Sequence, residues 1–174
     1  NIVKTSTKKE EEVVVKIGEN HAQTEQKNFT TITRTIKETF PDFNSVIPEN
    51  NKTIAETNSQ EIINCLKRVS IFSNKTTKQT MLSFSAKGVT ISAQDIETSA
   101  SAKEHLDCVF SGEEITTSYN AKYLIDVIQH LGGKKTNIYL NSALTAAVFQ
   151  TKENKDKEKT TSLLMPIRTN QQDV

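Results

Sequence analysis

Residues 58–72 read NSQEIINCLKRVSIF, and this stretch decides the fold. Asn58 is a favourable helix N-cap, and Glu61 stands three residues later, as in a capping box. Apolar side chains then recur at helical spacing along one stripe, at Ile62, Cys65, Leu66, Val69 and Phe72. The stretch therefore predicts a capped amphipathic helix with one buried face.

A second helix is predicted over residues 120–131. Asn120 is placed to cap it, and Gly132 and Gly133 can end it through a left-handed turn. Its buried stripe is formed by Leu124, Val127, Ile128 and Leu131. The two predicted helices thus share one design, in which an asparagine precedes an apolar stripe.

Short β-branched and alternating segments surround both helices. They lie at residues 13–17, 21–26, 29–36, 81–86, 89–93, 104–110, 114–118, 136–140, 144–151 and 161–167. The last three, with a charged loop at 152–159, repeat the pattern of the first three. This order predicts an α+β fold in which two helices pack on antiparallel β-sheet.

The repeat also predicts two domains. Pro41 and Pro48 bracket a segment that suits a connector better than a helix or a central strand. We expect residues 1–48 to be the last part of one domain and residues 49–174 to hold a complete one.

Composition excludes several classes of protein. The chain has 174 residues, and its 22 basic residues nearly balance 21 acidic ones, so contact with nucleic acid must come from local clusters. The segment after Asn1 lacks the apolar block of a signal peptide, which indicates a trimmed chain. Cys65 and Cys108 form no spaced framework. We expect a soluble, cytoplasmic protein with no membrane partner.

Four stretches together resemble the bacterial sliding DNA clamp, the beta subunit of DNA polymerase III. They read FPDFNSVIP at 40–48, RVSIFSN at 68–74, YNAKYLIDV at 119–127 and LMPIR at 164–168. The resemblance covers residues 13–168. It implies the clamp fold, with residues 1–48 as the C-terminal part of the second clamp domain and residues 49–174 as the third.

The resemblance also implies a function. Such clamps are homodimeric rings that encircle duplex DNA without reading its sequence and act as processivity factors. Short linear motifs of the DNA polymerase III catalytic subunit, the clamp loader and repair polymerases dock on them. The chain would be a non-catalytic subunit, with no catalytic residue, metal or cofactor.

By the same resemblance, a partner-peptide cleft is expected. It would be formed by Pro41, Val46, Asn120, Tyr123, Leu144, Ala146, Leu163, Met165, Pro166 and Ile167. The pattern alone favours another interpretation, in which Leu144, Leu163 and Met165 are core strand residues. Ser45 and Thr77 stand where other clamps carry a basic and an aromatic residue.

Two further surfaces are implied. Asn64, Lys67, Arg68 and Lys134 would face DNA phosphates, although a charged helix face is commonly just solvated. Ile71 and Phe72, which end the first helix, would contact the neighbouring protomer, although an apolar pair there is also typical of plain core.

The sequence is also compatible with two other classes of function. For an enzyme, Asp95 and Glu97 could form a carboxylate pair, and Cys65, His105 and Cys108 could form a thiol or metal site. The chain has five glycines and lacks a phosphate-binding loop, which disfavours that interpretation. The third hypothesis is a stand-alone peptide-binding module that does not encircle DNA.

Overall fold

The computed structural model describes residues 12–40, 42–151 and 160–168, which belong to two compact units. The first unit runs to Asp42 and the second begins at Phe43.

The first unit is an antiparallel meander. It contains β1 (Val14–Ile17), β2 (His21–Gln26) and β3 (Phe29–Arg34), in that spatial order. A backbone hydrogen bond of 2.9 Å from Gly18 N–H to the carbonyl of His21 closes the first turn. Apolar side chains on this sheet, among them Val15, Ile17 and Ile32, are exposed. The unit therefore buries little core of its own among the described residues.

The second unit contains both helices. Its elements are a 3-10 helix (Phe43–Val46), β4 (Thr53–Asn58), α1 (Ser59–Val69), a 3-10 turn (Ser70–Phe72), β5 (Gln79–Ser85), β6 (Gly88–Asp95), β7 (Ala100–Leu106), β8 (Val109–Ser111), β9 (Ile115–Asn120), α2 (Ala121–Leu131), β10 (Lys135–Leu140), β11 (Ala147–Gln150) and β12 (Thr161–Leu164). Among the described residues, neither α1 nor α2, with 11 residues each, has the length of a membrane-spanning helix.

Two antiparallel sheets and the two helices share one core. The first sheet has the order β12-β11-β10-β4-β8, and the second has the order β7-β6-β5-β9. The helices contact each other, α1 over β6 and β7 and α2 over β11 and β12. Leu66 and Leu124 are fully buried between these layers. The predicted α+β fold is confirmed.

The prediction of one strand over residues 104–110 is wrong. The chain turns at Asp107 and Cys108, so that β7 stays in one sheet while β8 pairs with β4 in the other, with Phe110 opposite Ala55. Alternation of apolar side chains continues through the turn, at Leu106, Cys108 and Phe110. The sequence pattern therefore contained no sign of the change of sheet.

The unit contains an internal repeat centred on the two N-caps. Asn58 and Asn120 have nearly the same backbone angles, with φ of −68° at both and ψ of 122° and 116°. In each, Oδ1 accepts from the N–H groups two and three residues later. The following residues, Ser59 and Ala121, donate their N–H to the carbonyls of Lys134 and Lys78, both at 2.9 Å. Each helix is thus attached at its start to a strand of the other half.

The two helices end differently. α2 stops at Gly132, whose φ of 68° is in the left-handed region, as predicted. α1 continues through Ser70 into the 3-10 turn, where the 3.6-residue period is lost. Phe72 consequently leaves the buried stripe on which it was placed and is 41% exposed.

The caps can be compared by substitution. Asn58→Ala should lower the free energy of unfolding by about 1 kcal/mol, because one capping acceptor is lost. Asn120→Ala should cost about 2 kcal/mol, since its Nδ2 also donates to the carbonyl of Thr77 at 2.8 Å. Urea unfolding measures both values. Asn58→Asp keeps the acceptor and should be nearly neutral, and equal costs for the two alanine variants would contradict the prediction.

Candidate functional site

The start of α2 holds two of the predicted cleft residues in fixed positions. Asn120 caps the helix with Oδ1 and donates from Nδ2 to the carbonyl of Thr77. Tyr123 follows one turn later and is 59% exposed. The Asn120 amide thus forms three hydrogen bonds within the protein, which fix the first turn of α2 and the backbone of Tyr123.

Two further segments meet at β9, directly before this helix. Ile167 donates its N–H to the carbonyl of Ser118 at 2.7 Å. Thr117 Oγ1 donates to the carbonyl of Ala143 at 3.3 Å. The tail at 165–168 and the loop at 141–146 are therefore fixed beside one strand, which explains how distant predicted residues come together.

The side chains presented there are apolar and accessible. Leu144 and Met165 are 60% and 65% exposed, so the interpretation of these two as core residues is wrong. Leu163, Pro166 and Ile167 are half-buried, and Ala146 is buried.

Leu163 and its neighbour Leu164 face opposite sides of β12. Leu164 packs against the core, whereas Leu163 pairs across strands with Val148 on the other face. Val148 was not predicted, because a valine between Ala147 and Phe149 is indistinguishable in sequence from a core residue. It is nevertheless buried outside the main core, next to a predicted cleft residue.

The remaining cleft residues lie in or near the segment between the two prolines. Val46 is 59% exposed in the 3-10 helix that also contains Ser45. The hydrogen bonds that join the tail, the loop and α2 do not include Val46. Pro41 lies outside the described residues. Thr77 forms part of a turn in which its N–H donates to Asn74 Oδ1 at 3.1 Å.

The predicted DNA-facing residues are exposed, but ion pairs with carboxylates reduce the positive charge around them. Lys67 extends from the solvent face of α1, and Asn64 Oδ1 accepts from Gln60 Nε2 at 2.9 Å. Arg68 forms an ion pair with Glu104 of β7, and its Nε donates to Oε2 at 3.1 Å. Lys135, which follows Lys134, pairs with Glu56 at 2.7 Å. Part of the local positive charge is thus already neutralised.

An open cleft of about 510 Å³ separates the start of α1 from the end of α2. Its lining combines polar helix ends with two isoleucines and consists of Asn58, Ser59, Gln60, Ile63, Ile128, Gln129, Gly132, Gly133 and Lys134. Lys134 therefore shares a concave surface with the first turn of α1. Gly133 has no room for a side chain, because a Cβ there would overlap Thr151 Oγ1.

The predicted protomer contact lies at a sheet edge. Ile71 is 77% exposed in the 3-10 turn that contacts β6 and β7, and β7 is the last strand of its sheet. An exposed apolar pair beside an edge strand is typical of a surface that receives another chain.

The two cysteines considered for catalysis lie in surroundings that disfavour the thiolate form. Burial, with the nearby Glu104 carboxylate, raises the pKa of the Cys65 thiol to about 12. Burial, with Asp107, also raises the pKa of Cys108. Neither thiol has the lowered pKa of a nucleophile.

His105 and Asp95 likewise serve local structure. His105 Nε2 donates to the carbonyl of Lys87 at 3.0 Å, which leaves Nδ1 to accept from Thr90 Oγ1 at 3.2 Å. The buried Asp95 accepts from the N–H of Glu97 at 3.2 Å within a turn. The described residues contain no cluster of three or more side chains that could hold a metal ion.

The sequence matches known proteins along most of its length. Residues 44–168 match the family model described as DNA polymerase III beta subunit, C-terminal domain. The beta sliding clamp of Vibrio cholerae is 28% identical over 167 residues, which cover 96% of this chain and 44% of that protein. The Bacillus subtilis clamp is 26% identical and covers 92% and 42%. The chain thus spans less than half the length of these curated relatives.

Solved structures share the fold. The sliding clamp of Pseudomonas aeruginosa bound to griselimycin superposes with a TM-score of 0.82 at 23% identity, over 97% of this chain and 44% of that one. The Bartonella birtlesii clamp bound to griselimycin gives a TM-score of 0.80 at 23% identity, over 90% and 41%.

Thiol reactivity tests the structural interpretation of Cys65. In a Cys108→Ser variant at pH 8, we expect native Cys65 to react with a maleimide or disulfide reagent at least roughly 100-fold more slowly than in urea, because burial suppresses the thiolate. Labelling followed by mass spectrometry gives both rates. Fast reaction in the folded protein would instead restore the hypothesis of an active thiol.

Proposed function

Since this chain belongs to the DNA polymerase III beta subunit family, we propose that it is the C-terminal portion of a sliding clamp, a processivity factor that encircles duplex DNA and tethers a polymerase to it. The chain would contribute no catalytic residue to the polymerase holoenzyme. It would act in the cytoplasm by keeping the enzyme at high effective concentration near the primer end.

The observation that carries this proposal is the apolar surface around β9. Tyr123, Leu144 and Met165 are each about 60% exposed, and hydrogen bonds to Ser118 and Thr117 fix the segments that carry the last two. Large apolar side chains that are accessible and stand on fixed backbone segments favour a partner over solvent. We propose that the surface binds short apolar motifs of the polymerase catalytic subunit, the clamp loader and repair polymerases.

Its chemistry suits varied ligands of this type. Met165 is flexible and polarisable, so it can adapt to different apolar side chains. The Tyr123 ring offers apolar area together with one hydroxyl that can fix the direction of a peptide. Leu163, Pro166 and Ile167 would form the half-buried base of the cleft.

Contact with DNA is proposed for the exposed polar face of α1 and for the opening of about 510 Å³ between the start of α1 and the end of α2. Lys67, Asn64 and Lys134 would meet phosphates rather than bases, which gives salt-dependent contacts that permit sliding.

The first unit supports the proposed domain organisation. Its meander β1–β2–β3 has the antiparallel order of β10–β11–β12, but β10 is also paired to β4 and covered by helices. The exposed Val15, Ile17 and Ile32 would be covered in the same way by the rest of a preceding clamp domain. Residues 1–48 would then be the end of the second domain and residues 49–174 the third.

Ring closure is proposed at β7. An edge strand has backbone groups available for pairing, and the exposed Ile71 and Phe72 would add apolar contact with a neighbouring protomer. Two protomers that join in this way would form the homodimeric ring.

Peptide binding gives the first test. A fluorescent peptide of the clamp-binding type should bind the chain saturably, with micromolar affinity expected for a short motif. Met165→Ala and Tyr123→Ala should each weaken binding by about tenfold, since each removes apolar contact area. Fluorescence anisotropy measures the dissociation constants.

The matched control is Ile96→Ala, which shortens a side chain of similar exposure in the turn between β6 and β7. It should bind like the original chain. Equal weakening by all three substitutions would locate the peptide elsewhere.

Salt dependence tests the proposed DNA contact. Lys67→Ala should reduce the slope of log K against log salt for duplex DNA by about one, because one phosphate contact is lost. Lys87→Ala, in the exposed β5–β6 turn, is the control and should leave the slope unchanged. Peptide binding without any DNA binding would favour the stand-alone interaction module.

A further inference from the structure

Arg68 at the end of α1 reaches across to the edge strand β7. Its Nε donates to Glu104 Oε2 at 3.1 Å, and its Nη2 donates to Oε1 of the same carboxylate. The pair is therefore bidentate, a geometry that fixes the orientation of both groups more firmly than a single contact. Two residues 36 positions apart are joined by this pair.

The pair is supported from below. Glu104 lies on the same face of β7 as Ala102 and Leu106, which pack against the core. Cys65, buried in the preceding turn of α1, is close enough that Glu104 helps to raise its pKa. Hydrogen bonding to Arg68 in turn lowers the pKa of Glu104. The carboxylate is therefore ionised and held between the helix and the strand.

Both parts of the proposed ring contact adjoin this pair. Glu104 belongs to the last strand of the β7-β6-β5-β9 sheet. Ile71 and Phe72 follow Arg68 within the next turn and lie in the 3-10 segment that touches β7. The ion pair thus joins the backbone edge to the apolar residues beside it.

We propose that Arg68 is a positioning residue of the ring-closing surface, which holds β7 ready for an extended strand of a neighbouring protomer, and that it is not a DNA contact. This inference rests on the proposed clamp function. A phosphate would have to displace a bidentate carboxylate to bind Arg68, whereas Lys67, one residue earlier, has no such competitor within 4 Å among the described residues.

The benefit of the ion pair is that β7 is already ordered before a neighbouring strand binds to it. An edge strand is hydrogen-bonded on one side only, and such strands open more easily than central ones. A strand that must be ordered during association lowers the affinity, so a pair that orders it beforehand strengthens the contact.

Hydrogen exchange on the full 174-residue chain tests the proposal. The variants are Arg68→Ala, Glu104→Gln, Arg68→Lys and the charge swap Arg68→Glu with Glu104→Arg, with Lys67→Ala as the control on the same helix face. Amide exchange is followed in β7, and the thermal midpoint reports the stability of the whole domain. Salt titrations with duplex DNA are run on Arg68→Ala and Lys67→Ala.

We expect Arg68→Ala and Glu104→Gln to speed exchange in β7 by roughly five- to tenfold with little change in thermal midpoint. Arg68→Lys should fall between, the charge swap should restore slow exchange, and Lys67→Ala should have no effect on β7. If Arg68→Ala instead leaves β7 unchanged, or speeds exchange throughout the domain, the proposal is overturned. A DNA slope reduced by Arg68→Ala as much as by Lys67→Ala would also overturn it.

The outcome is separable from that of the clamp function itself. Exchange in β7 is read within the chain, so a chain that binds neither peptide nor DNA can still show the effect of the pair. Conversely, peptide binding at Met165 with no change in β7 would support the clamp function and refute the role of Arg68.

Discussion

The second unit depends on two reciprocal attachments between helix starts and strands. Ser59 donates to the carbonyl before β10, and Ala121 donates to the carbonyl before β5, so each half of the unit holds the helix of the other. The caps at Asn58 and Asn120 set the chain direction that makes both bonds possible. These two hydrogen bonds place the helices side by side. The helices in turn carry Lys67 on the solvent face of α1 and Tyr123 at the start of α2.

Local signals made much of this fold predictable. Caps, apolar stripes and the left-handed Gly132 depend on neighbours in sequence, and they appear where the pattern placed them. The change of sheet between β7 and β8 was missed because the alternation of apolar residues continues through the turn. The exposure of Phe72 was missed because the helical spacing of apolar residues continues into the 3-10 turn. The Arg68–Glu104 pair joins residues 36 positions apart, so no periodicity in the sequence predicts it.

The candidate surfaces were identified partly from the family resemblance and partly from the structure. The resemblance supplied the cleft residues. The structure places the tail and the loop at 141–146 beside β9, through one backbone bond and one bond from the Thr117 hydroxyl, and corrects the interpretation of Leu144 and Met165 as core. In the structure the Asn120 side chain also supports the first helical turn. The described surfaces are held by backbone and side-chain hydrogen bonds, and the two cysteine thiols lie in surroundings that disfavour the thiolate.

The connection after β12 mirrors the one after β7. In one half Asp107 and Cys108 lead into Val109, which pairs with Glu56, and in the other Met165 and Pro166 lead into Ile167, which bonds to Ser118. The two halves of the unit thus follow the same path with different residues. Because backbone hydrogen bonds fix this path in both halves, the side chains at 165–167 can differ from those at 107–109 without a change of architecture.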